Sequence, residues 1–148
     1  MLHHDAEIIK QYIVSQYAEL VSKKLIELSI KAGLKHFIYA SSGSVYGIKN
    51  EEKVTEDLEL VPISAYNKTK MICERLLLSY KDKIDVYIVR PATVYGLSPR
   101  MRFDLTVNEF TKDLVLGKEL IIFGEQFWRP YCHVLDFARN GGAWRPPE

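Results

Sequence analysis

Two short runs of strand-forming residues flank one helical segment between positions 36 and 90, and that order constrains the fold more than any other feature. His36-Phe37-Ile38-Tyr39-Ala40 is apolar and rich in strand formers. Asp85-Val86-Tyr87-Ile88-Val89-Arg90 is a second run of the same kind, stopped by Pro91. Between them Ser64 is a good N-cap, and a helix is predicted from there to about Tyr80, with Leu76, Leu77 and Tyr80 on its buried face. Strand, helix, strand in this order is a βαβ unit, so the two strands should be parallel and joined by a crossover. The fold class that follows is α/β, a parallel sheet with flanking helices.

Other segments fit around this unit. From about Glu7 to Ala32, the residues Ile8, Ile9, Tyr12, Ile13, Tyr17, Leu20, Val21, Leu25 and Leu28 recur at steps of three to four, a helical stripe that Gly33 stops. Ser41-Ser42-Gly43-Ser44 reads as a loop after the first strand, and 48–63 as an acidic excursion over the surface. A further helix is expected from near Asp104 to Gly117, then two short strands at Glu119–Phe123 and Arg129–Val134. Asp136-Phe137-Ala138-Arg139 starts a helix that the following residues do not continue. The expected organisation is therefore one partial domain over 1–139 and an irregular tail over 140–148.

Composition removes several function classes. Lys plus Arg is 20 against 19 Asp plus Glu, so the chain lacks the basic stripe of a nucleic-acid binder and the charge of a disordered chain. No apolar run approaches the ~18 residues of a membrane span. Cys73 and Cys132 form no Cys-x-x-Cys, which suggests neither a metal site nor redox chemistry. Free thiols and a start without the basic-then-apolar layout of a secretory leader lead to the expectation of a cytoplasmic chain.

Two features carry chemistry. Tyr66 and Lys70 are four apart on the predicted helix and share one face, and an ammonium beside a phenol favours the phenolate. Ser41-Ser42-Gly43-Ser44 follows a strand, at the sheet end where α/β proteins bind ligands; a hydroxyl there can hold a substrate oxygen while a tyrosine takes its proton. Each feature alone also fits an ordinary helix face or turn.

Their combination is far more specific. Phe37-Ile38-Tyr39-Ala40-Ser41-Ser42-Gly43-Ser44-Val45-Tyr46-Gly47 is followed by Tyr66-Asn67-Lys68-Thr69-Lys70. Arg90-Pro91-Ala92-Thr93-Val94-Tyr95-Gly96 and Trp128-Arg129-Pro130-Tyr131-Cys132-His133-Val134-Leu135-Asp136 come after them. This series resembles the extended short-chain dehydrogenase/reductase family, in its nucleotide-sugar epimerase/dehydratase branch, from about Tyr17 to Arg139. The resemblance implies a Rossmann-like, doubly wound parallel sheet, of which this chain would supply the C-terminal half. It implies NAD as cofactor, with NADP not excluded, and a nucleotide sugar as substrate. By the same resemblance Ser42, Tyr66 and Lys70 are the catalytic triad, and Tyr66, Lys70 and the backbone near Ala92 touch the cofactor. Thr93, Asn108 and Arg129 would join Ser42 in binding the sugar nucleotide, Arg129 as a clamp on the diphosphate. His133 fits a structural position at a strand end. The family's dimers pair helices like those at 7–32 and 64–80, so a homodimer through them is implied.

Within the branch, members that eliminate water resemble Thr-Asp-Glu where this chain has Ser42-Gly43-Ser44. With no carboxylate there, an epimerase or a simple reductase is favoured over a dehydratase. The chain departs from the family at Ala18, where an Asn is common, and in its tail. No Gly-rich dinucleotide turn occurs among glycines 33, 43, 47, 96, 117, 124, 141 and 142. The expectation is a fragment of an NAD-dependent nucleotide-sugar epimerase, similar to UDP-glucose 4-epimerase, that is inactive alone. Two alternatives stay open: a reductase or dehydrogenase of the same superfamily, and a non-catalytic dimerisation module.

Overall fold

The computed structural model describes the backbone of residues 2–143 and the side chains of residues 14–139. The chain divides into two compact units, Met1–Arg90 and Pro91–Glu148.

The first unit contains α1 (Leu2–Lys31), β1 (His36–Ala40), a 3₁₀ turn (Gly43–Tyr46), α2 (Ala65–Leu78) and β2 (Asp85–Val89). The two strands pair in parallel, with Phe37 opposite Val86 and Tyr39 opposite Ile88, as the βαβ order requires. Helix α2 starts where Ser64 caps it: the Ser64 backbone is extended and its Oγ accepts the Asn67 N–H at 3.2 Å. The core joins both helices to the sheet. Ile26 of α1, Leu77 of α2 and Ile84 are buried together, with Ile30, Phe37, Tyr39, Tyr80 and Val86 packed against them. Ser42–Ser44, read as loop, belongs to a one-turn 3₁₀ helix whose N-cap is Ser42.

The helix expected from about Glu7 to Ala32 forms as α1. Tyr17, Leu20, Val21, Leu25 and Leu28 are exposed, and the α1 residue at the core is Ile26. Apolar residues lie on more than one side of this helix, so periodicity alone could not choose the side that packs. The side chains of Ile8, Ile9, Tyr12 and Ile13 lie outside the described residues.

The second unit holds β3 (Thr93–Tyr95), α3 (Thr106–Val115), β4 (Tyr131–His133) and α4 (Val134–Ala143). Strands β3 and β4 pair in parallel, Thr93 opposite Tyr131 and Tyr95 opposite His133. The expected strand at Glu119–Phe123 does not form: these residues are irregular, and Ile121, Ile122 and Phe123 are exposed. A β-rich run becomes a strand only where a neighbour accepts its hydrogen bonds, and none of the described strands pairs with it. The predicted strand at 129–134 shortens to β4. The helix begun near Asp136 does develop, running through Gly141 and Gly142 to Ala143, so the expected irregular tail is helical over its first residues. Residues 144–148 of that tail lie outside the described ones.

Candidate functional site

The site of the first unit is built at the C-terminal end of β1. Ser41 continues the ladder, its N–H donating to the Val89 carbonyl at 2.7 Å, and the chain then turns into the 3₁₀ segment. Ser42 donates or accepts across 2.7 Å to Ser44 Oγ, and its oxygen also accepts the Ser44 N–H at 3.3 Å. Ser44 in turn donates to Asn67 Oδ1 at 2.6 Å. The serine segment is thus tied to the first turn of α2, at the residue next to Tyr66.

Lys70 lies one turn further along α2. Its ammonium donates to the Ala40 carbonyl at the end of β1, at 2.8 Å. It also stands 4.9 Å from the Tyr39 ring centroid and 5.8 Å from that of Tyr66. One of its three N–H groups is used by Ala40. Tyr66 is 59% exposed, so its phenol is open to a ligand. Ser42, Tyr66 and Lys70, found by motif, are therefore assembled around one strand end.

Behind them is a buried ion pair. Glu74, one turn after Lys70, is 1% exposed and receives Arg90 through Nη2 at 2.7 Å and through Nε at 3.1 and 3.2 Å. Arg90 Nη1 donates to the Tyr46 hydroxyl at 2.6 Å, and the guanidinium carbon lies 4.9 Å from the Tyr46 ring centroid. The Glu74 hydrogen bonds hold the Arg90 guanidinium above its ordinary pKa, against the desolvation that would lower it, so its charge is permanent. This pair joins three parts of the unit: the end of the serine turn, the tyrosine–lysine helix and the residue after β2.

Burial pushes the Tyr39 phenol well above its ordinary value, and Cys73, Tyr66 and Glu74 add to the shift. The folded state thus disfavours the Tyr39 phenolate, whereas the unfolded chain releases that proton near pH ~10. The stability this contributes is complete below that pH and is lost as pH rises above it. Wild-type chain should therefore lose more urea resistance between pH 8 and pH 11 than Tyr39→Phe does. Equal losses in the two proteins would contradict this.

The remaining candidates, Ala92, Thr93, Asn108 and Arg129, lie in the second unit. Thr93 is in β3, and its N–H donates to the Pro130 carbonyl at 3.3 Å. That bond brings it beside the backbone next to Arg129, whose side chain is exposed. Asn108 is buried: its Oδ1 accepts the Gly96 N–H at 3.1 Å and its Nδ2 donates to the Arg102 carbonyl at 3.0 Å. His133 Nδ1 accepts the Leu135 N–H at 3.3 Å, and its ring packs edge-on against Tyr95.

Residues 9–140 match the NAD dependent epimerase/dehydratase family. The chain belongs to this family. An uncharacterized UDP-glucose epimerase of Bacillus subtilis, YtcB, is 37% identical over 121 residues, which cover 80% of this chain and 37% of that protein. The UDP-glucuronate 4-epimerase of Thermodesulfobacterium geofontis is 34% identical over 120 residues, covering 78% of this chain and 36% of its own length. Among solved structures, UDP-glucuronic acid 4-epimerase from Bacillus cereus, in complex with UDP-glucuronic acid and NAD, superposes with a TM-score of 0.73. It is 35% identical, and the match covers 85% of this chain and 40% of that one. This member of the family thus spans well under half the length of these relatives, and its α/β architecture is theirs, in part.

Motif reading did not find Ser44, Asn67 or the Glu74–Arg90–Tyr46 group as parts of the site. Asn67 sits inside the Tyr-x-x-x-Lys spacing, at a position where any residue type satisfies the motif. Glu74 carried a weak signal: a carboxylate on the side of α2 that also bears Lys70 and the buried Leu77 needs a partner.

Proposed function

We propose that this chain carries the catalytic Ser42–Tyr66–Lys70 group of an NAD-dependent nucleotide-sugar epimerase similar to UDP-glucose 4-epimerase. The observation that carries the reading is Lys70, fixed on the Ala40 carbonyl with its ammonium 5.8 Å from the exposed Tyr66 ring, while the Ser42 turn is hydrogen-bonded to the residue beside Tyr66. In this reading Tyr66 takes the proton of the sugar hydroxyl, Ser42 holds that hydroxyl, and Lys70 favours the phenolate by its charge. The chemistry that NAD would supply when bound there is reversible hydride transfer at the sugar carbon. The residues present fit the nicotinamide-ribose end of such a cofactor, because two Lys70 N–H groups are left to donate once Ala40 has taken one. By the family resemblance Ala92 would contact the cofactor, Thr93 and Arg129 the sugar and its diphosphate, and Asn108, whose amide holds the Gly96 and Arg102 backbone, the sugar nucleotide. No residues here supply a Gly-rich cradle for the pyrophosphate, so the isolated chain should turn nothing over.

The test is a chimera in which residues 1–148 replace the matching segment of the Bacillus subtilis UDP-glucose 4-epimerase. The chimera should interconvert UDP-glucose and UDP-galactose. Tyr66→Phe within it should lower kcat by about 10²–10⁴-fold, the usual contribution of a general base. A folded chimera that binds both ligands without turnover, or a Tyr66→Phe protein as active as its parent, would refute the reading. So would turnover by the isolated chain, for the part concerning inactivity.

One observation favours a second reading, the dimerisation module. Tyr17, Leu20, Val21, Leu25 and Leu28 lie exposed along α1, an apolar face of the kind that packs between subunits. Sedimentation of the chain should then show association that Leu20→Lys weakens at least tenfold; a monomer at all concentrations would remove this reading.

A further inference from the structure

We infer that Tyr39 is a positioning residue that holds the Lys70 ammonium against the end of β1 through the face of its ring. This deepens, and rests on, the proposal that Lys70 serves Tyr66 and a cofactor. The need for such a residue comes from Lys70 itself. A lysine side chain loses as much conformational freedom on being fixed as any, and its ammonium is strongly hydrated when left in water. The one hydrogen bond described for it, to the Ala40 carbonyl at 2.8 Å, fixes one direction. The Tyr39 ring supplies a second. Its centroid lies 4.9 Å from the ammonium nitrogen, inside the ~6 Å reach of a cation–π contact and nearer than the Tyr66 ring at 5.8 Å. Tyr39 and Ala40 are consecutive residues of β1, so both contacts come from one strand end.

The ring is itself fixed. Tyr39 is paired with Ile88 in the sheet and packs against the buried Ile26, Leu77 and Ile84. Its phenol meets the buried thiol of Cys73, which lies one turn of α2 after Lys70. The lysine thus rests on a surface locked by its own packing. Charge matters as well. Two tyrosines stand near this ammonium, and a phenolate at Tyr39 would draw Lys70 into an ion pair away from Tyr66. Burial, with Cys73, Tyr66 and Glu74, pushes the Tyr39 phenol well above its ordinary value, so this ring stays neutral and offers its face. Tyr66, 59% exposed, is the one of the two that a ligand can reach. The two rings therefore have different duties: Tyr39 holds the ammonium, and Tyr66 takes the substrate proton. Lys70 is in place before a ligand arrives, with two N–H groups left to donate.

The experiment is NMR on the isotope-labelled full chain, reading the coupling through the hydrogen bond between Lys70 Nζ and the Ala40 carbonyl carbon. That coupling exists only while the bond does. Wild type should show it, and so should Tyr39→Phe, which keeps the ring and drops the hydroxyl. Tyr39→Leu should weaken it, in step with a fall of about 2–30-fold in the ratio of held to free lysine, the weight of a cation–π contact. Tyr39→pentafluorophenylalanine separates ring charge from packing: the ring keeps its shape, but fluorine reverses the charge of its face. The coupling should weaken there too, while the α2 amide shifts stay near those of Tyr39→Phe. If Tyr39→Leu fails to fold, the pentafluoro variant decides alone. An undiminished coupling in the pentafluoro variant overturns the inference. So does its loss in Tyr39→Phe, which would give the holding role to the hydroxyl. A titration of wild type with nicotinamide mononucleotide tests the underlying reading separately, and the Lys70 ammonium signal should shift. A ring-dependent coupling without that shift would uphold the role of Tyr39 and count against the cofactor site.

Discussion

Arg90→Leu should destabilise the first unit by about 3–5 kcal/mol, the range observed when one partner is removed from a buried ion pair. The Glu74 carboxylate is the reason. Its side chain is 2% exposed, and Arg90 supplies every hydrogen bond described for it. Leucine would leave that carboxylate in the interior with neither water nor a cation. The Tyr46 hydroxyl would lose its donor as well. A loss of this size is comparable to much of a domain's whole stability, so the variant should be largely unfolded in its first unit under conditions where the parent is folded. Glu74→Leu combined with Arg90→Leu should recover most of the loss, because a matched apolar pair demands no solvation. Urea unfolding followed by circular dichroism measures both. A single-variant loss below about 1 kcal/mol, or a double variant no better than the single, would mean that the pair is hydrated and contributes little.

That pair also shows what a sequence does not disclose. Glu74 and Arg90 are 16 residues apart, on a helix and past a strand, and it is the packing of α2 against β2 that brings them together. The local signals were read well where one residue decides the outcome. Ser64 stops solvent from competing for the Asn67 N–H, and α2 starts there; Pro91 cannot donate to a ladder, and β2 ends before it. Signals that need a partner were read less well. Leu120-Ile121-Ile122-Phe123 has every strand propensity and no described strand beside it. Thr93–Tyr95 is only three residues long, too short to show alternation, and exists as β3 because Tyr131–His133 pairs with it. Ser42, Tyr66 and Lys70 stand out through a family resemblance carried by residue types at fixed spacing, and Lys70 lies on the end of β1 beside the Tyr66 ring. Asn67 does not, because its duty depends on a turn 23 residues upstream.

Gly47→Ala should be the most damaging change of a single methyl group in the first unit, and it should act on the serine turn directly. Gly47 closes that turn with φ +73°, a conformation costing a residue with a side chain about 1–3 kcal/mol. A methyl group there would also run into the Val61 carbonyl oxygen, with the Val61 carbonyl carbon only 3.2 Å away. Backbone on both sides leaves no rotamer to relieve the collision, so the turn must move. Gly33 gives a partial control. Its φ is +75°, yet a methyl group there meets nothing within 4 Å. Gly33→Ala should therefore report the cost of a positive φ alone, and Gly47→Ala that cost, the added strain of ψ −142° at positive φ, and the collision. The excess should appear as a larger fall in the urea midpoint and as lost coupling between Ser44 and Asn67 in NMR spectra. Because the Gly47 N–H is the one that closes onto the Ser44 carbonyl, at 3.2 Å, moving this residue displaces the Ser44 hydroxyl that is tied to Asn67. Equal losses in the two variants would show that the 48–63 excursion yields to the methyl group, and that the serine turn is held by Asn67 and Arg90 rather than by its closing glycine.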